Sequence, residues 1–478
     1  MTALGLKGLT FVYSRDLPFT DLSDVPDVYT TFRKMLEPLR DRPRPPLPTP
    51  DRLPPLPPAG SIPPQSTPFT IPSTIQELVD GLLKPLDTTY GLQNPPRYVE
   101  TPKQQVGGES NAHERITYLL ENSCMTHYKE TRNGLLGEDY STRLSAWLAI
   151  GCITARQIHA YLLAFETASS SLGRDATGYG QGENPGTAAV RFELVWRDYM
   201  RLCSRKYGKK LFHVDGFKGA NPDVASTRNW LYINQGHTRA TLERFLSGRT
   251  GIGLIDASNR ELYHTGYTSN RARQNVASYL SAHLGIDWRL GAEWYECMLL
   301  DYDAANNWGN WQYVSGVGND PRLGRTFNPV KQALGYDPHG AYVKAWIPEL
   351  RNVDVDGGVE GGEKGEEMLM GLFQAWRLQD RDRARLGLIG VDWVERPLTR
   401  IPFAVGRRPR EGGSSWRGSS EGGGRSRGRP GRYRGRSRGD FSRGSRGSSG
   451  IRGRWRMDDL QRALPNSTDP DDDGHPDY

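Results

Sequence analysis

The densest chemistry in the chain lies in Asp301-Tyr-Asp303-Ala-Ala-Asn-Asn307-Trp308-Gly-Asn-Trp311-Gln-Tyr313, thirteen positions that crowd acids, amides and aromatics together. A solvated loop has little use for so much Trp and Tyr. A buried polar network around a ring-shaped ligand does. A second run, Asn270-Arg271-Ala272-Arg273-Gln274-Asn275, sets guanidinium and amide groups directly before an apolar helical pattern. Further upstream, helical spacing brings Glu193, Trp196 and Arg197 to one face. That trio suits a pocket, and equally an ion pair over a core Trp. Finally, Ser141-Thr142-Arg143-Leu144-Ser145 opens the apolar stretch Ala146–Ile150. Hydroxyls, free backbone N–H groups and one Arg at a helix N-terminus suit a pyrophosphate, though Ser and Thr also serve as plain caps.

Other ligand chemistries find less support. There is no Walker A sequence, and Gly251-Ile-Gly253-Leu-Ile-Asp256 lacks both a third glycine and a preceding strand, so a Rossmann site is not supported. The four cysteines Cys124, Cys152, Cys203 and Cys297 lie far apart without a CxxC pair. A reduced, intracellular chain without a metal site is expected. No apolar run is long enough for a bilayer span, and the N-terminus has no signal-peptide pattern.

The elements that position these groups read as helical. From about Asn111 to about Leu350 apolar residues recur at three and four, as at Ala188, Phe192, Val195, Tyr199 and Leu202, and a further helical run covers Asn270–Leu284. Gly-rich interruptions at 168–187 and 356–371 read as loops. Ahead of this region stand a strand-like run, Leu9-Thr-Phe-Val-Tyr13, and an amphipathic stretch, Asp27–Glu37, too little to close a core alone. Proline dominates 41–72 and predicts a polyproline-like linker.

Hydrophobic residues make up 36% of the chain and mean hydropathy is −0.65, which is low for a chain folded throughout. The net charge of +7 is unevenly spread: between Arg407 and Arg456 sixteen Arg face three acids, giving that window +13 and leaving −6 for the rest. The window repeats Arg-Gly, with Trp416, Tyr433, Phe441 and Trp455 interleaved. Such a tail cannot bury enough apolar area to offset its chain entropy, so disorder is expected. Arg with interleaved aromatics suits RNA, through phosphate neutralisation and base stacking.

Several segments together are specific to one family. They are Tyr128-Lys-Glu-Thr-Arg-Asn-Gly, Tyr140-Ser-Thr-Arg-Leu-Ser, Phe192-Glu-Leu-Val-Trp-Arg-Asp-Tyr, Thr265-Gly-Tyr-Thr-Ser-Asn-Arg-Ala-Arg-Gln-Asn-Val-Ala-Ser, Asn307-Trp-Gly-Asn-Trp and Val317-Gly-Asn-Asp-Pro. Through them the chain resembles the DASH-type cryptochromes of the photolyase family over residues 10–40 and 111–405. The resemblance implies a mainly α protein. Residues 1–40 would be the remnant of an α/β antenna domain, 41–110 a Pro-rich linker, 111–405 an all-helical FAD-binding domain and 406–478 a disordered Arg/Gly-rich tail.

The resemblance also implies roles. Tyr128, Ser141, Thr142, Arg143, Leu144, Ser145, Arg197, Asn270, Arg273, Asp301 and Asp303 match flavin contacts, with Arg273 and Asp301 paired beside the isoalloxazine. Asn307 matches the position facing flavin N5. Trp311, Trp288 and Trp230 match the chain that carries electrons from the surface to the flavin. Glu193, Trp196, Asn270, Arg271, Gln274 and Tyr313 match the pocket for a flipped pyrimidine dimer. Gln274 and Tyr313 stand where double-strand photolyases carry Met and Trp, which fits single-stranded DNA.

The segment Thr10–Leu39 usually lines a site for 5,10-methenyltetrahydrofolate, but most of that domain is not represented, so this antenna is left in question. Asn259 and Thr268 stand where the family usually has Met, and the loop Ser169–Gly186 is atypical. The activity implied is light-driven repair of dimers in single-stranded DNA by a monomer. The alternatives are a photoreceptor without repair, or an RNA-binding protein with a vestigial flavin domain. The compartment expected is nucleus or cytoplasm, with organelle import open.

Overall fold

Helix Pro185–Tyr207 is the axis around which the other elements pack. Asn184 caps it by accepting the N–H groups of Gly186 and Thr187, and Pro185 takes the first position, where a missing N–H costs nothing. It is buried on nearly every side, as a helix inside a core should be. The structure is a computed structural model, which describes residues 10–403 apart from 49, 62, 64–69, 71, 91–105, 220–228, 321, 323–325 and 356–361. The Arg/Gly-rich stretch 406–478, with the disorder expected of it, lies outside the described residues.

Helices Ala304–Ser315 and Tyr128–Thr131 pack against the axis, and Trp288–Met298 packs against Ala304–Ser315. On the far side Asn270–Ser278 meets Gly253–Thr265, which in turn packs on Ala341–Trp346. Local chemistry sets where these helices begin. Ser269 accepts the Ala272 N–H ahead of Asn270–Ser278, and Asp303 accepts the Asn306 N–H ahead of Ala304–Ser315. The run expected over 270–284 is continuous, its last turn, Tyr279–His283, widening into a π turn. Among the described residues there is no strand, only an isolated bridge between Leu231 and Ile286. The protein has the all-helical fold that the sequence implies, and none of the described helices is long and apolar enough to cross a membrane.

Three local expectations change. The run Leu9–Tyr13 forms no strand in its described part: with no neighbouring strand to pair with, the Val12 N–H donates to Asp198 Oδ2 at 3.0 Å. Its apolar side chains, with those of helix Tyr29–Leu36, join the helical core, where Phe11, Phe32 and Leu36 are fully buried. Tyr29 also donates to the Phe192 carbonyl at 2.9 Å. The stretch expected as a loop over 356–371 is helical from Gly362 to Phe373, because Leu369, Leu372 and Phe373 belong to the core. The linker expected over 41–110 contains helix Ile75–Tyr90, which starts once the proline density falls.

The Gly-rich loop before the axis is held by charge. Arg191, fully buried, pairs with Glu166 at 2.8 Å and with Glu183 of the loop at 2.7 Å, while Glu166 also receives Arg40 at 2.9 Å. A buried ion pair offsets its desolvation only with such full partnering.

Asp198 stands inside the interface between the N-terminal segment and the axis. Burial pushes its carboxyl up to about 6, against the pull of the Val12 N–H and Arg197. A raised carboxyl holds its proton more tightly folded than unfolded. Its contribution is therefore full below the ordinary value of 3.8 and is lost as pH rises through the folded value. Asp198→Asn keeps an acceptor for Val12 and removes the titration. In paired urea titrations, the variant should lose less stability than the parent from about pH 4 to about pH 7, by at most about 3 kcal/mol.

Candidate functional site

Two adjoining cavities open between these helices, a larger and a smaller, and both are lined by Ser145, Asn270, Arg273 and Asp301. The larger lies among Asn270–Ser278, Trp288–Met298, Ala304–Ser315 and the axis; the smaller lies under the turn 140–145. A wider groove beside Leu231, His283 and Thr399 contains none of the residues singled out in the sequence.

At the junction of the two cavities, Arg273 Nη2 donates to Asp301 Oδ2 at 2.9 Å. Burial by itself would depress Arg273, but the Asp301 carboxylate outweighs it and raises the guanidinium above its ordinary value. Arg273 Nε also donates to the Thr268 carbonyl at 2.9 Å. The other carboxylate oxygen, Asp301 Oδ1, is buried with no partner, as are Asn306 Oδ1 and the Tyr295 hydroxyl, and all three residues line the larger cavity. Buried polar atoms are rarely left unpaired. Three of them around one cavity fit a polar, ring-shaped guest.

The remaining expected flavin contacts fall into place around this junction, with one exception. Ser141, Thr142, Arg143, Leu144 and Ser145 line the smaller cavity. Arg143 adopts a left-handed φ of 54°, a costly conformation for a side chain that long and one that tends to mark functional turns. Its guanidinium lies over the rings of Tyr140 and Tyr267. Arg197 lines the larger cavity and donates to the Leu148 carbonyl at 3.2 Å. Asp303, on the same wall, caps its helix and receives Arg201 at 2.7 Å. Burial would raise Asp303, but Arg201 and the helix N–H hold it below its ordinary value. Asn307 lines the cavity with its amide donated to the Ala292 carbonyl at 2.9 Å. Tyr128 is the exception: it is buried and lines neither cavity.

Of the three expected electron carriers, Trp311 stands on the cavity wall, edge-on to Tyr295 at 5.2 Å. Trp288 is fully buried on the adjoining helix, and Trp230 is partly buried against the core. Of the expected substrate residues, Asn270 and Gln274 line the larger cavity, and the other four are not among its lining residues. Arg271 donates to Asn133 at 2.6 Å and to Gln274 at 3.1 Å. Glu193 pairs with Arg132 at 2.9 Å. Trp196 is fully buried, edge-on to Tyr29 at 4.7 Å and to Tyr313 at 5.4 Å. The N-terminal segment covers Trp196, so its face is packed rather than presented. Sequence reasoning missed Tyr295 on the cavity wall, and gave no separate role to Tyr302, Asn306 and Asn310, which line the cavity from within the run 301–313. Tyr295 follows Trp288 by seven positions on one helix face, a signal that was readable.

Residues 190–365 match the family model for the FAD binding domain of DNA photolyase. The chain is 47% identical over 416 residues to a Neurospora crassa protein named cryptochrome DASH, mitochondrial, covering 83% of this chain and 54% of that one. It is 46% identical to a cryptochrome DASH of Gibberella zeae, covering 56% of it. The chain thus spans about half the length of these two relatives. With the cryptochrome DASH of Synechocystis it is 36% identical over 408 residues, 85% of this chain and 71% of that one. The crystal structure of a Synechocystis cryptochrome superposes with a TM-score of 0.60 at 34% identity, covering 81% of this chain and 71% of that one. With two adjoining cavities, an ion pair at their junction and relatives matched at this identity and coverage, the chain belongs to the cryptochrome DASH family, flavin-binding kin of the DNA photolyases.

Proposed function

We propose that this protein is a blue-light flavoprotein that draws electrons through tryptophan and repairs cyclobutane pyrimidine dimers in single-stranded DNA. The observation that carries the reading is the place of Trp311, on the wall of the larger cavity and on a helix packed against the one bearing Trp288. When bound, FAD supplies a light-absorbing ring that accepts an electron and, once reduced, gives one to a dimer.

This chain's own residues supply the rest. Arg273 and Asp301, with Asn270 and Asn307, would hold the ring, and Ser141, Thr142 and Ser145 would hold the phosphates through hydroxyls and backbone N–H groups. The Asn307 amide can donate or accept as the ring nitrogen requires. Trp311 gives an electron at the cavity edge, and Trp288 and Trp230 refill it from further out. Gln274 offers an amide to a base edge on the cavity wall. Glu193, Trp196, Arg271 and Tyr313 would complete the pocket, and a base stacking on Trp196, which is fully buried, needs it to be uncovered. Single strands suit such a site, because unpairing in a duplex costs a few kcal/mol. A folate antenna is not part of the proposal, since Phe11, Val12, Val25, Tyr29, Phe32, Leu36 and Leu39 of the segment that would line it are buried in the helical core.

A second reading, photoreception without repair, keeps the same flavin and tryptophans. The tail adds a separate activity: sixteen Arg among Gly and aromatics suit RNA or single-stranded DNA. Organelle residence is supported by the names of relatives, mitochondrial in Neurospora crassa and chloroplastic/mitochondrial in rice.

Four outcomes are expected. Trp311→Phe slows flavin photoreduction at least about tenfold in a stirred, blue-lit cuvette with a thiol. An unchanged rate rejects this electron route. A dimer-bearing single-stranded oligonucleotide is restored under the same light by the parent chain, and full photoreduction without repair favours the photoreceptor. Asp301→Asn removes one charged hydrogen bond, about 1.5–3 kcal/mol, so flavin dissociates about ten- to a hundredfold more readily in equilibrium dialysis. Deleting 406–478 flattens the salt dependence of RNA binding, by about 0.7 in slope for each phosphate that the tail neutralises.

A further inference from the structure

Trp308 is a tryptophan that the electron route above leaves unused. It is 5% exposed and meets Trp288 edge to face, with 5.7 Å between ring centroids. On another side it meets Phe212 at 4.9 Å, and Phe212 is half exposed. Trp308 therefore stands one ring below the surface and in contact with the middle carrier. Its indole Nε1–H donates to Glu296 Oε2 at 2.8 Å, and Glu296 is exposed to solvent. Trp288 differs, for its Nε1–H donates to the Val214 carbonyl at 3.0 Å, an amide oxygen that cannot take up a proton.

That difference decides where a hole comes to rest. An indole that has lost an electron is far more acidic than the neutral ring. A carboxylate at hydrogen-bond distance stabilises its positive charge and can accept its proton. Once deprotonated, the ring can return to its resting state only by regaining both a proton and an electron, which slows recombination. The nearby Tyr302, on the cavity wall, also faces Glu296. Burial and that carboxylate push its phenol up to about 12, so it keeps its own proton near neutral pH.

We propose that Trp308 and Glu296 form a terminal redox couple of the tryptophan chain, the hole on Trp288 moving to Trp308 and the indole proton moving to Glu296. This rests on the flavin photoreduction proposed above. In the step one electron passes from the Trp308 ring to the oxidised Trp288 ring, which becomes neutral again. The Trp308 Nε1–H bond breaks and an O–H bond forms on Glu296, leaving a neutral indolyl radical. A small thiol in solution later returns the electron and releases its own proton to water, while Glu296 returns the indole proton.

Flash-photolysis spectroscopy of the flavin-loaded full chain tests the assignment by reading the form of the indole radical rather than turnover. The variants are Trp308→Phe and Glu296→Gln. The second changes an exposed residue and keeps a hydrogen-bond acceptor, so it guards against a folding failure in the first. The parent should show a deprotonated indole radical, and Trp308→Phe should lose it. In Glu296→Gln the radical should stay protonated and decay at least about tenfold faster. A deprotonated radical of parental yield and lifetime in both variants overturns the assignment while leaving photoreduction intact. A parent chain with bound flavin but no light-induced indole radical overturns photoreduction itself, and this couple with it.

Discussion

The pair between Arg273 and Asp301 is the interaction on which the site depends. Arg273 comes from helix Asn270–Ser278, and Asp301 from the turn that joins Trp288–Met298 to Ala304–Ser315. The pair therefore ties together three helices that wall the larger cavity. A buried guanidinium without its carboxylate would carry the penalty of an uncompensated charge. Arg273 is further fixed by the Thr268 carbonyl and the Tyr267 ring. Asp301 is only half used, with one oxygen committed and the other buried and unpaired. The protein thus holds a spare acceptor in place on the cavity wall.

Packing around the pair sets the positions of the aromatic groups. Gly291 is the position where helix Trp288–Met298 lets Trp311 approach: a Cβ there would stand 2.2 Å from Trp311 Cη2, closer than atoms allow. Any side chain at 291 would push the indole away from its place on the cavity wall. Asp303 serves two ends at once, capping Ala304–Ser315 and receiving Arg201 from the axis. That fixes the register in which Asn307 and Trp311, four residues apart, reach the cavity together.

The N-terminal segment belongs to the same core. Phe11, Phe32 and Leu36 are buried beside the axis, and Tyr29 lies against Trp196. Its contacts reach along the axis from Phe192 to Lys206, the last donating to the Val25 carbonyl at 2.6 Å. A segment too short to fold by itself is ordered by a helix that would otherwise expose an apolar face. The same contacts hold Trp196 away from solvent.

The sequence by itself determined the helical class, the helical run from Asn270 and the polar run Ser141–Ser145 at a helix start, while the partnership of Arg273 with Asp301 across 28 positions was implied by the family resemblance. The first three rest on local spacing, the last on motifs dense enough to be specific together. Tertiary structure decided the rest, because burial is a property of neighbours. Gly362–Phe373 looks like a loop by composition, yet it is a helix because Leu369 and Phe373 have a core to enter. Leu9–Tyr13 looks like a strand, but without a partner strand the Val12 N–H turned to Asp198. Which of the site residues line the cavity, as Asn307 and Trp311 do, and which do not, as with Trp196 and Glu193, follows from the angle at which the helices pack. No spacing along one chain contains that angle.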